Sequence, residues 1–156
     1  MPATKRIALS FTRQFKHLAN LLTVTVNRYS DELWFRDDLR QTPQPAWEAY
    51  HAVSSLAMGH ILDIPVKCLP HDPGEEPPPS RQAVLDLLAD VRNYVLEAIS
   101  SMSDEQLVSQ TRQCDGTGIE NLMYAFRHTH HHVGLLIQIL RQHGGKPPTW
   151  SSGNML

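Results

Sequence analysis

Hydrophobic residues recur at steps of three and four positions over four long stretches of the chain, and this spacing predicts four amphipathic helices. The stretches run, in chain order, over about residues 10–29, 45–63, 80–102 and 119–143. Segments rich in proline, glycine and charge separate them, and no stretch shows a convincing strand pattern. The pattern therefore predicts an all-α fold class with a four-helix bundle as its architecture.

Capping residues mark several ends of these predicted helices. Pro45 suits the first turn of the second helix, and Ser80 is an N-cap candidate for the third. Ser-Asp-Glu-Gln at 103–106 has the spacing of a capping box that opens a short extra helix, and Ser-Asp-Glu-Leu at 30–33 is similar. Gly144 and Gly145 supply a C-cap for the last helix.

The chain of 156 residues, 41% of them hydrophobic, fits one domain with a single core. We predict one domain over residues 1–156, with its core at about 8–145 and a flexible tail at 146–156. Between the second and third helices, residues 65–79 are too rich in proline to be helical.

Charge, hydropathy and cysteine content argue against several classes of protein and of binding partner. A net charge of -2 argues against an electrostatic grip on nucleic acid or on an anionic membrane. No apolar run approaches the roughly 20 residues of a membrane helix, and the N-terminus lacks the apolar core of a signal peptide. Two cysteines are too few for a disulfide framework. We therefore expect a cytoplasmic protein with no nucleic-acid or membrane partner.

Histidine is enriched, with nine in the chain and four of them between positions 128 and 132. At about 100° per residue, His128 and His132 share one face of the last helix and lie one turn apart. An apolar stripe centred on Phe126 and including Met123 is expected to face the core, and His130 falls within it. A His-x-x-x-His pair presents two imidazoles to one point, which is the geometry of a metal site on a helix.

A third ligand would come from another helix, and His51 in the second helix is the best candidate. It shares an arc with Trp47 and Ser54 that is expected to face the bundle. Glu48, one turn earlier, either orients His51 or faces solvent. Three neutral imidazoles suit Zn²⁺ or Ni²⁺. From spacing alone, a metal site and a set of packing histidines remain alternatives.

Two stretches of this sequence resemble the DinB/YfiT-like superfamily. They are Trp-Glu-Ala-Tyr-His at 47–51 and Arg-His-Thr-His-His-His-Val-Gly at 127–134, within a resemblance that covers about residues 8–145. The resemblance implies a homodimeric four-helix bundle whose divalent metal, often nickel or zinc, is held by His51, His128 and His132. It also implies thiol-dependent transferase or isomerase activity, with bacillithiol, mycothiol or glutathione as cosubstrate, or a metal-dependent hydrolase.

Two functional hypotheses follow. The first is a metal-dependent enzyme, either a thiol S-transferase or a hydrolase acting on a small molecule, with His130 and Glu48 as candidate proton shuttles. The second is a non-enzymatic structural or ligand-binding dimeric module, whose metal is structural or absent.

Overall fold

Four long helices and two short ones make up the part of the chain that the computed structural model describes, residues 6–37, 43–56, 77–111 and 115–149. The helices are α1 Arg6–Val26, α2 Asp31–Trp34, α3 Pro45–Leu56, α4 Arg81–Ser101, α5 Asp104–Val108 and α6 Gly118–Gln142. Within these ranges the extended structure amounts to one isolated bridge, between Gln110 and Thr117. The all-α fold class predicted from the sequence is confirmed.

The long helices form a four-helix bundle. α1 packs against α4 and α6, and α3 packs against the same two helices, so α1 and α3 occupy opposite corners. The core consists of the apolar side chains that these four helices bury between them. Among the described residues, no helix combines the length and the apolar character needed to cross a membrane. The α3–α6 interface is the part of the bundle that bears on function.

The observed helix caps agree with those predicted from the sequence at several helix ends. Ser30, Ser80 and Ser103 are the N-caps of α2, α4 and α5, and the capping box at Ser103 is complete. A second capping box, on Thr117, opens α6 and was not predicted. The backbone of Gly144 has a φ of 75°, which glycine adopts without strain just after a helix.

Two of the predicted segments, the second helix and the C-terminal tail, extend beyond the residues that the structure describes. The last part of the predicted second helix, 57–63, and most of the proline-rich segment lie outside them. Residues 146–149 of the predicted tail are described, and Pro148 is buried, so the chain remains against the bundle beyond the predicted core limit. Residues 150–156 lie outside the described part.

The buried stripe of α6 differs from the predicted one. Met123, which was expected in the core, is 51% exposed, whereas Thr129 is fully buried. The centre of the stripe lies near Thr129, about 60° further round the helix toward the side of the histidine pair. Both α1 and α3 pack on α6, and Leu136 and Ile139 are fully buried on this side as well.

Tyr29 ties the segment after α1 to α6. Its hydroxyl donates a hydrogen bond of 2.6 Å to the backbone carbonyl of Leu136, and its ring packs edge-on against the buried Trp34. Trp34 in turn donates its indole N–H to the carbonyl of Pro79. Burial, reinforced by the negative charge of Glu48, raises the pKa of Tyr29. The phenol is therefore held in its protonated, hydrogen-bonding form.

We expect Tyr29→Phe to lower the free energy of unfolding by about 1 kcal/mol at neutral pH, because a buried hydrogen bond is lost. A raised pKa means that the folded state holds this proton more tightly than the unfolded state does. The stabilisation that the Tyr29 phenol provides is therefore complete below about 10, the pKa of tyrosine in the unfolded state. It is lost as the pH rises above that value. Urea unfolding followed by circular dichroism should show a shallower alkaline loss in the variant, and equal losses would contradict this account.

Candidate metal centre

Helices α3 and α6 bring three histidines together. His51 on α3 meets His128 and His132 on α6, and one ligand atom from each lies within 4.8 Å of the others. The Nε2 atom of His128 is 3.1 Å from that of His51 and 3.0 Å from that of His132. The structure thus gathers the three residues that the sequence proposed as metal ligands.

Small and polar residues of α3 and α6 are buried in the bundle. Ala46, Ala49 and Ala52 of α3 are fully buried, and such short side chains allow neighbouring helices to approach closely. The hydroxyl of Thr129 on α6, fully buried, shares a hydrogen bond of 3.4 Å with that of Ser55 on α3. This contact fixes the register of α6 on α3 at the level of the histidines.

The sequence suggested that His51 lies in the middle of a buried stripe, and the structure shows that it does not. Almost every side of α3 is buried, and His51 belongs to the edge that is exposed. From there its ring still reaches His128 and His132, with centroid distances of 5.3 Å and 4.5 Å. The cluster is therefore open to solvent on the His51 side.

Glu48 contacts His132, not His51. Its Oε1 lies 2.6 Å from Nδ1 of His132, and the side chains of His132 and Glu48 are only 12% and 7% exposed. The two predicted alternatives, a partner for His51 and a solvent-facing charge, are both wrong. Because a carboxylate oxygen accepts hydrogen bonds, Nδ1 of His132 donates to Oε1. In the neutral form of the ring this leaves the lone pair on Nε2, which faces His128.

Three neutral imidazoles cannot satisfy all three converging nitrogens by hydrogen bonds among themselves. With its proton on Nδ1, His132 has no hydrogen on Nε2, and neutral His128 has at most one to share between two neighbours. A cation at the centre accepts all three lone pairs at once. Tetrahedral zinc, with Zn–N of about 2.0–2.1 Å, places nitrogens about 3.3 Å apart. Two of the observed separations, 3.1 Å for His51–His128 and 3.0 Å for His128–His132, are close to that value, and all three ligand atoms lie within 4.8 Å of one another. This donor set suits a divalent metal ion.

The surroundings favour the neutral form of two of these histidines. Burial lowers the pKa of His51, and the neighbouring His132 adds to this, while Glu48 opposes it. Burial likewise lowers the pKa of His128, with contributions from His132, His51 and His131. Neutral imidazole is the form that binds metals, so both side chains are prepared for coordination at neutral pH.

The other histidines of α6 have different surroundings. His130 packs its ring against Phe126 at 4.8 Å, and burial together with the charge of His17 on α1 lowers its pKa. It thus belongs to the α1 side of α6, and its shuttle role stays a prediction that this position does not favour. His131 is exposed, as the sequence indicated, with its ring 5.2 Å from that of His132.

Sequence reasoning missed two residues around the cluster. Thr129 was not among the predicted site residues, although its hydroxyl contacts that of Ser55 and so joins α6 to α3. Tyr124 stacks on His128, with ring centroids 5.7 Å apart and planes inclined by 21°. Its position four residues before His128 was the available signal, since such residues are neighbours on a helix.

The fold is similar to that of a solved protein. A DinB-like protein from Bacillus cereus ATCC 10987 matches with a TM-score of 0.73 and 20% sequence identity, over 90% of this chain and 95% of that one. No protein-family model and no curated protein matches the sequence. At this identity the likeness establishes the fold, and the chain accordingly has the DinB-like helical bundle that its sequence resembled.

Replacing Glu48 tests the contact with His132. We expect Glu48→Gln, which keeps the shape and removes the charge, to weaken zinc binding by about tenfold, at the lower end of the 10–100-fold range for such supporting groups. Competition with a chromophoric chelator measures the affinity, and circular dichroism checks the fold. Glu97→Gln, which changes an exposed carboxylate on α4, is the matched control. Unchanged affinity in Glu48→Gln would show that this hydrogen bond does not support the site.

Proposed function

We propose that the protein is a metal-dependent enzyme in which His51, His128 and His132 hold one divalent ion, zinc or nickel. The observation that supports this most strongly is the convergence of three imidazole nitrogens, one of them on a ring oriented by a buried carboxylate. Orientation of a ligand histidine by a carboxylate is common to metal sites in proteins.

Two features favour a catalytic over a structural ion. Structural zinc sites generally have four protein ligands, whereas catalytic sites have three and leave a position open. Among the residues that the structure describes, the group of potential ligands around this point has three members. His51 is exposed, so a small molecule can reach the cluster from solvent.

The ion and the protein side chains supply different parts of the proposed chemistry. A bound divalent ion supplies Lewis acidity, which lowers the pKa of a water molecule or thiol that it binds. The chain holds the ion with three neutral imidazoles, and Glu48 keeps the proton of His132 on Nδ1. We assign Glu48 this positioning role, since its Oε1 is engaged with His132. Its predicted role as a proton shuttle stays a prediction.

The resemblance to the DinB/YfiT-like superfamily supplies the finer proposals. They are a thiol-dependent transferase or a hydrolase activity on a small-molecule substrate, a low-molecular-weight thiol as cosubstrate in the first case, and a homodimer. A cytoplasmic location is proposed separately, from the cysteine content and the N-terminal sequence. Both reactions use the same open metal position, so substrate screening has to separate them.

Metal content tests the ligand assignment. We expect untagged protein to contain about one equivalent of zinc or nickel by inductively coupled plasma mass spectrometry, and His51→Ala and His128→Ala to lose it, because two remaining imidazoles seldom hold an ion. His131→Ala, which removes an exposed neighbouring histidine, should retain it. Protein that takes up no metal even after incubation with both ions would leave the three histidines as packing residues.

Activity tests the reaction class. We expect the metal-loaded protein to consume either a thiol together with an electrophile, or an ester or amide, and a chelator to abolish turnover without unfolding the bundle. His131→Ala should behave as the wild type, whereas His128→Ala should be inactive. Equal turnover in the two variants would exclude catalysis at this cluster. Unfolding upon chelation, with no turnover of either substrate class, would indicate a structural metal.

A further inference from the structure

Two large apolar side chains are exposed at consecutive positions of α6, one turn before His128. Met123 is 51% and Tyr124 54% exposed. Single exposed apolar residues are normal and need no functional explanation. Tyr124 differs from Met123 in that its ring stacks on His128, one of the three histidines of the cluster.

Tyr124 and His51 border the same opening. Both are exposed, both have ring contacts with His128, and they belong to different helices, α6 and α3. Glu48 lies on the buried side of the cluster, where it contacts His132. A molecule that reaches the three nitrogens from solvent therefore arrives beside Tyr124.

Tyr124 gives this rim an aromatic surface. Arg127, three residues after Tyr124, is exposed and is its neighbour on the helix surface. The ring of Tyr124 lies against the cluster itself, because it stacks on His128.

We propose that Tyr124 contacts the substrate and selects molecules that carry a planar apolar group, aromatic or conjugated, within one or two bonds of the atom that reaches the metal. Aromatic pairs favour offset or edge-to-face contacts with centroids 4.5–7 Å apart. The Tyr124 ring, 5.7 Å from that of His128, is close enough for such a contact with a ligand bound at the cluster. The proposal rests on the metal-dependent function proposed above.

Two hydroxamates that differ in one group test it. Benzohydroxamate and acetohydroxamate both chelate zinc, and they carry a phenyl and a methyl group next to the chelating atoms. Zinc content is measured first, and the dissociation constant of each probe is then determined by isothermal titration calorimetry on the zinc-loaded protein. The variants are Tyr124→Phe, which keeps the ring, Tyr124→Leu, which keeps an apolar side chain without it, and Met123→Ala as the matched control.

The quantity compared is the preference for benzohydroxamate over acetohydroxamate. We expect this preference to be about 3- to 10-fold larger in the wild type, Tyr124→Phe and Met123→Ala than in Tyr124→Leu, the range that aromatic contacts provide. An equal preference in Tyr124→Leu would overturn the proposal, because the probes' phenyl group would then gain nothing from the ring. Equal weakening of both probes in Tyr124→Leu would also overturn it, since Tyr124 would then act only through His128.

A wild-type protein that binds no zinc gives a different result. It would refute the proposed function and this inference together, and the metal measurement identifies that case before any probe is added. A zinc-loaded wild type with no ring-dependent preference would refute the inference alone.

Discussion

Glu48 Oε1 accepts a hydrogen bond of 2.6 Å from His132 Nδ1 across the interface between α3 and α6, and the arrangement of the candidate site depends on this contact. A buried carboxylate is costly unless it is hydrogen-bonded. His132 provides that hydrogen bond, with Nδ1 as the donor. In the neutral ring the lone pair of Nε2 then faces His128. The contact thus joins α3 to α6 beside the cluster and orients the ring of His132.

The remainder of the bundle holds that interface in place. Alanines along α3 allow the close approach, and the hydroxyls of Ser55 and Thr129 meet at the level of the histidines. Tyr29 also restrains α6, because its hydroxyl donates a hydrogen bond to the backbone carbonyl of Leu136, one turn after His132. The histidines therefore stand on two rigid helices rather than on loops, which is the condition for a preorganised metal site.

The sequence predicted the helices well because their signals are local. Capping residues such as Ser80 and Ser103 and the spacing of apolar residues act within one segment, and they agree with the observed helices. The His128–His132 pair was visible for the same reason. Helical spacing alone also pointed to His51, whose exposure it nevertheless misjudged.

The errors concern contacts between segments. Periodicity gives the angle of a residue on its own helix but not the helix that packs against it. Glu48 was therefore predicted either to orient His51 or to face solvent, and its contact with His132 was missed. The same limitation placed Met123 in the core, whereas the buried face of α6 is centred near Thr129, which contacts Ser55 of α3. Residues 57–76, which include most of the proline-rich segment, lie outside the described part of the chain.

X-ray absorption fine structure of the zinc-loaded protein is the most direct test of the central claim, because it reports the ligands rather than the amount of metal. The account predicts three imidazole nitrogens at about 2.0–2.1 Å together with one or two lighter-atom ligands from solvent. A wild-type spectrum without the multiple scattering typical of histidine, or one dominated by sulfur, would contradict the assignment of His51, His128 and His132.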